Sequence, residues 1–171
     1  VHLYEDPRCP VYEEFESTGG GPELREATVR GETRTEYTLA SFLDDRVGGS
    51  GSEKAVNALR AAPAEGRFAE HHQVLCRHQP EESEDGFTHD RLLELAERVD
   101  GLRGPAFDSA VKGMKYRAFM KASEKANEDA DCNGVLFDAP VFSNLLREIR
   151  REPEDWQNYV FPDVATTPGP F

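Results

Sequence analysis

The chain has 171 residues, enough for one domain with a full hydrophobic core. Hydrophobic residues make up 37% and charged residues 31%, and no window nears ~18 uninterrupted apolar residues, so no transmembrane helix is expected. The net charge of −13 argues against nucleic acid and anionic membrane surfaces as partners, because both need a basic footprint; it is read chiefly as a solubilising surface.

The first segment, "VHLYED", has strand-like content and suits a short buried strand over 1–6. Pro10 fits the first turn of a following helix, where its missing N–H costs nothing, and Val11, Tyr12 and Phe15 give that helix an apolar side. "STGGGP" interrupts it, and "ELREATVR" is a second helical piece ended by Gly31. Alternation over 33–42, rich in threonine and aromatic residues, predicts a second strand. "DDRVGGSGS" reads as a loop, with Ser52 as cap of the helix "EKAVNALRAA".

Pro63 breaks that helix, and "AEGRFAEHHQVLCRHQ" resumes helical spacing with Phe68, His72, Leu75 and Cys76. An acidic loop, "PEESEDG", precedes "HDRLLELAERVD", which Thr88 caps and Gly101 follows as a stop. One or two further helices are predicted over 105–130, with Gly113 as the weak point between them. "CNGVLFDAPVF" is a second apolar run giving strand material near 134–142; "NLLREIRRE" is helical, and residues 165–171 form a Pro- and Gly-rich tail. Two strand-bearing ends around a helical middle predict one α/β domain with a helical insertion.

Cys9, Cys76 and Cys132 are three widely spaced cysteines, and no CxxC occurs, which excludes a disulfide framework and a paired-cysteine zinc site. This usage fits a reducing cytoplasm. No signal-peptide pattern is visible, and a secreted or cell-envelope location stays open if a leader was removed before Val1.

Cys9 lies just before the predicted helix, where unpaired N–H groups and the helix dipole favour a thiolate, and Arg8 is adjacent. The sequence thus offers Cys9 as a nucleophile; a small buried thiol without chemistry is the competing reading. Glu5 and Asp6 are candidates for proton transfer, with capping of the helix as the other role for Asp6. His71, His72, Cys76, His78 and His89 form a loose group. Only His72 and Cys76 have ligand spacing on one helix face, and no third ligand has diagnostic spacing. The acidic pairs Glu13-Glu14, Asp44-Asp45 and Glu81-Glu82 read as solvated surface.

"YEDPRCPVYEEFE" resembles the active-site segment of the thioredoxin-like superfamily, specifically its DsbA-like branch, which reads strand, Asp-x-x-Cys-Pro-x-Cys, then an aromatic-acidic helix. Asp6, Cys9, Pro10, Phe15 and Glu16 match. "YTLASFLDD", "SEKAVNALRAA", "GRFAEHHQVLCRHQPEE" and "GFTHDRLLELAERVDG" resemble, in order, the second strand and inserted helices of bacterial members. The correspondence covers most of residues 1–125.

The resemblance implies a thioredoxin-like α/β fold over 1–164, with the insertion at about 52–128. It implies Cys9 as nucleophile and Pro10 as its helix-starting neighbour. Two departures stand out. Tyr12 occupies the place of the resolving cysteine, so Cys9 can attack a disulfide but cannot release the adduct internally unless the fold brings Cys76 or Cys132 within ~7 Å Cα–Cα of it. The branch also carries a substrate-seating cis-proline, for which Ala139-Pro140 is the candidate here; a trans proline ending a strand is the other reading.

The expected function is therefore an atypical monothiol member of the thiol–disulfide oxidoreductases. It would act on protein thiols or disulfides with no bound cofactor, drawing on a small thiol as co-substrate. Two rivals are a redox-inactive binding module of the same fold and a glutathione-transferase or isomerase relative using a small thiol. His72 is implied to be a packing residue of the inserted helices, and Cys76 a core residue.

Overall fold

The computed structural model describes residues 1–130 and, further on, positions 147 and 151. Strand β1 (His2–Glu5) is followed by helices α1 (Pro10–Ser17) and α2 (Gly21–Val29), and then by strand β2 (Glu36–Leu39). The two strands pair in parallel, with Leu3 opposite Tyr37 and Glu5 opposite Leu39. A parallel pair cannot be joined by a tight hairpin, and the α1–α2 excursion is the crossover that this geometry requires. Phe15, Leu24 and Ala27 are buried in a small core beneath α1 and α2, packed against Leu3.

Strand β2 is shorter than the alternation over 33–42 predicts. Thr28 Oγ1 is within hydrogen-bond distance of Thr33 Oγ1 (3.2 Å) and Thr35 Oγ1 (2.7 Å), so the first threonines finish α2 rather than extend the sheet. After Leu39 the chain turns into α3 (Phe42–Val47), in place of the expected continuation of strand and loop.

Helices α4 (Gly51–Ala61), α5 (Phe68–Arg77), α6 (His89–Ala96), α7 (Pro105–Lys112) and α8 (Arg117–Asp129) follow, occupying the stretch read as an insertion. Pro63 does not end the helical path outright: one 3₁₀ turn, Ala62–Glu65, carries the chain on to Gly66 at φ +68°. Helix α4 is the axis of the block and touches α3, α5, α6, α7 and α8. Its Ala55, Val56, Ala58 and Leu59 join Leu75, Leu92, Leu95, Phe107 and Val111 in the main core, all almost fully buried. Each large apolar side chain buried this way contributes roughly 1.5–3 kcal/mol. Thr88 accepts a hydrogen bond from the Arg91 amide (3.1 Å) and caps α6, as expected.

Asn57 is the polar exception in this core. Its Nδ2 donates to the carbonyls of Ala110 (3.1 Å) and Val111 (3.3 Å), and its Oδ1 accepts from the Tyr116 amide (3.0 Å). One fully buried amide thus closes the end of α7 and the approach to α8. Asn57→Ala is expected to cost about 2–3 kcal/mol, because it orphans buried backbone groups. A urea midpoint shift worth less than ~1 kcal/mol would contradict that role.

Candidate functional site

Cys9 is the N-cap of α1, with extended backbone at φ −75° and ψ 118°, and Pro10 begins the helix. Its amide donates to the Asp6 carbonyl (2.9 Å), closing a turn, and its carbonyl accepts from the amides of Tyr12 (3.1 Å) and Glu13 (3.3 Å). The thiol is half-buried. Burial pushes its pKa above the ordinary 9.0, and the nearby Asp6 and Glu82 carboxylates push the same way; the Val11 and Tyr12 amides oppose the shift. The expected depressed pKa is therefore not what the surroundings produce. A helix N-terminus lowers a thiol pKa only when desolvation does not outweigh it.

Arg8 is the second reason. Its side chain is fully buried and engaged elsewhere, donating to Asp44 Oδ1 (2.8 Å), the Gly48 carbonyl (3.1 Å) and the Glu82 carbonyl (3.0 Å). It is a structural cation, not the partner of the Cys9 thiolate. Asp44 is likewise no solvated surface residue. It binds Arg8 and also accepts from the amides of Ser52 and Glu53, both at 2.9 Å, so it caps α4 from α3. Ser52, expected to be that cap, lies inside the helix and donates its hydroxyl to Asp6 Oδ1 (2.7 Å).

Asp6 does not cap α1. Its carboxylate accepts from the Arg8 amide (2.8 Å), the Leu43 amide (2.9 Å) and the Ser52 hydroxyl, and so gathers the Cys9 loop, α3 and α4. Burial raises its pKa to about 6, against these three hydrogen bonds. Gln79, beyond α5, holds the same loop by donating to the carbonyls of Pro7 (2.7 Å) and Cys9 (3.1 Å).

Tyr12 is half-buried, one turn into α1 from Cys9. It lines a narrow cleft with Asp6, Pro7, Cys76, Gln79 and the Glu5–His72 pair. The cleft has space for about one water-sized body. Cys76, expected in the core, is half-buried at this cleft, its Sγ 4.0 Å from His72 Nε2. Burial raises its pKa too.

Beneath the cleft, His72 Nε2 and Glu5 Oε1 are 2.5 Å apart and both side chains are about 95% buried. His72 also packs against the rings of Tyr37 and Phe68, which touch each other as well. Burial pushes the His72 pKa down, but the Glu5 carboxylate and the Cys76 thiol carry it well above 6.5. Glu16, buried on α1, adjoins this pair and is held by Arg25 (Nη1–Oε2 2.9 Å). The other expected histidines disperse: His71 faces Phe107 in the core, where burial lowers its pKa to about 4, and His78 Nδ1 is 2.8 Å from the Val74 carbonyl oxygen.

Ala139, Pro140, Cys132 and the strand expected near 134–142 lie outside the described residues. The structure thus brings Cys9, Pro10, Tyr12, Asp6 and Cys76 to one end of α1. Sequence reasoning missed Gln79 and the burial of Arg8, Asp44 and Glu16. The available signal for Glu16 was its place next to buried Phe15 on a helix matched to a family pattern; Gln79 and Asp44 carried none.

A family profile described as Thioredoxin matches residues 1–140. The fold is similar to that of reduced DsbG, a disulfide bond oxidoreductase from Mycobacterium tuberculosis, at 20% identity and TM-score 0.72, over 92% of this chain and 80% of that one. It is similar also to oxidised DsbA from M. tuberculosis, at 24% identity and TM-score 0.69, over 92% and 85% of the two chains. Reduced DsbA from the same organism gives 22% identity and TM-score 0.68 with the same coverage. No curated protein matches the chain.

Proposed function

The chain belongs to the thioredoxin family and has the fold of the DsbA-like thiol–disulfide oxidoreductases, and from that premise we propose that it carries out single-thiol disulfide exchange through Cys9. The observation that carries the reading is the position of Cys9: half-buried, at the N-cap of the Pro-initiated α1, within the segment that the family profile matches. The Cys9 thiolate attacks a protein disulfide, forming the mixed disulfide and releasing one substrate thiolate. An external small thiolate then attacks the mixed disulfide, leaves with the second substrate sulfur and restores the Cys9 thiolate. Asp6, whose raised pKa lets it hold a proton near pH 6, is the nearby group able to accept or return the thiol proton. Ala139-Pro140 completes this reading as the substrate-seating element.

A redox-inactive binding module is the second reading, favoured by the raised Cys9 pKa. No helix among the described residues is long and apolar enough to cross a membrane. The likeness to mycobacterial disulfide-bond enzymes favours an oxidising compartment over the cytoplasm expected from cysteine usage.

One measurement tests the proposal, and a second checks the surroundings of the Cys9 thiol. Cys9→Ser should abolish insulin reduction driven by a small thiol; activity surviving that change removes Cys9 as nucleophile. The Cys9 alkylation rate should climb with pH and reach half its maximum above pH 9.0, since burial disfavours the thiolate and only rising pH generates it. A midpoint near neutrality would mean that substrate-free Cys9 is far better activated than its surroundings imply.

A further inference from the structure

Glu5, Glu16 and His72 come from three different elements, β1, α1 and α5, yet each offers a ligand atom within 4.8 Å of the other two. All three are buried. Two carboxylates driven together away from water repel, and each needs a positive partner. The Arg25 guanidinium answers Glu16 at 2.9 Å, and the His72 imidazole meets Glu5 at 2.5 Å. A divalent ion placed among the three would answer both carboxylates at once.

We propose that Glu5, Glu16 and His72 form a binding site for a divalent ion of the zinc class. One imidazole nitrogen and two carboxylate oxygens make a three-ligand set of the type zinc accepts, with the fourth position left to water. Ligands at ~2.0–2.1 Å from a tetrahedral ion lie about 3.3 Å apart. The Glu5–His72 contact of 2.5 Å therefore opens by under an ångström, and the wider separations, at most 4.8 Å, close by about 1.5 Å or less. Side-chain torsions supply shifts of this size.

The outer contacts suit the role. Arg25 holds Glu16 Oε2 at 2.9 Å, the kind of second contact that orients a ligating carboxylate. Tyr37 and Phe68 both pack against the His72 ring and limit its rotation. Entry is by the cleft, whose walls include Glu5 and His72 as well as Tyr12 and Gln79. An ion here would bind the sheet, the Cys9-bearing helix and the helical insertion together.

The test is calorimetric titration of the chelator-treated full chain with zinc sulfate, followed by thermal unfolding. One equivalent should bind and raise the melting temperature. Glu16→Gln, which keeps side-chain shape and the Arg25 contact, should weaken zinc binding at least about tenfold, and Arg25→Ala about tenfold through loss of orientation. Cobalt(II) should show the intense visible absorption of a tetrahedral ion in the parent and lose it in Glu16→Gln. Absence of stoichiometric binding, or equal zinc affinity in the parent and Glu16→Gln, would overturn the site.

Discussion

Arg8→Ala is expected to lower the unfolding free energy by about 3–5 kcal/mol, the usual cost of removing one partner from a buried ion pair. The guanidinium fills a fully buried position and satisfies Asp44 and the carbonyls of Gly48 and Glu82 together. Its removal leaves the Asp44 carboxylate, itself only 9% exposed, with two amides of α4 but no cation. The loop bearing Cys9 would also lose its tie to the segment around Glu82. Arg8→Lys should recover only part of the loss, because one ammonium cannot span three acceptors in two directions. Both effects should be nearly insensitive to salt, since the pair is shielded from solvent. Replacing Arg8 and Asp44 together by apolar residues should cost less than the sum of the single changes, and a double-mutant cycle measures that coupling. A guanidinium midpoint for Arg8→Ala equivalent to less than ~1 kcal/mol of destabilisation would show that the pair is dispensable.

Tyr12→Cys carries the largest expected change in activity. Cys9 and position 12 are neighbours across one turn at the start of α1, a separation that a disulfide can span. The parent depends on a dissolved thiol to release its mixed disulfide; the variant would have a thiol held beside it. Oriented intramolecular groups have effective concentrations far above the millimolar range of a dissolved thiol, so release should quicken by on the order of 100-fold or more. Single-turnover release of a labelled peptide from the Cys9 adduct reads this step directly. The variant should also lose about 1–2 kcal/mol of stability as part of the tyrosine ring's buried area goes. If a disulfide between Cys9 and the introduced thiol forms in a folded protein, yet release and insulin reduction stay at parent levels, the site lacks the rest of an exchange machinery. The binding-module reading would then hold.

The helical part of the fold was legible because its signals are local. The apolar stripes of α4 and α6, the Thr88 cap and the breaks at Gly31 and Gly113 are set by residues within a turn or two of one another. The end of β2 was not legible. Ser41 leaves the sheet, its amide and hydroxyl donating to Glu124 on α8, 83 residues away, and α3 begins at once. Alternation over 33–42 continues regardless, since a period of two records side-chain chemistry and not the partner that ends the strand.

The same division governs the site. The sequence by itself determined that a lone cysteine precedes a Pro-initiated helix and that tyrosine stands where a second thiol would be, because both follow from spacing along one short segment. Only the tertiary structure decided which charges are buried. Arg8 looked like the neighbour that activates Cys9 and instead crosses to Asp44; Asp6 looked like a helix cap and instead joins Leu43 and Ser52. Glu5 meets His72 across 67 residues. Burial of a charge is tolerated only where a counter-charge or donor meets it, and those partners are set by the packing of distant elements. The pKa of Cys9 follows from that packing as well: desolvation and the carboxylates gathered around the loop outweigh the helix terminus.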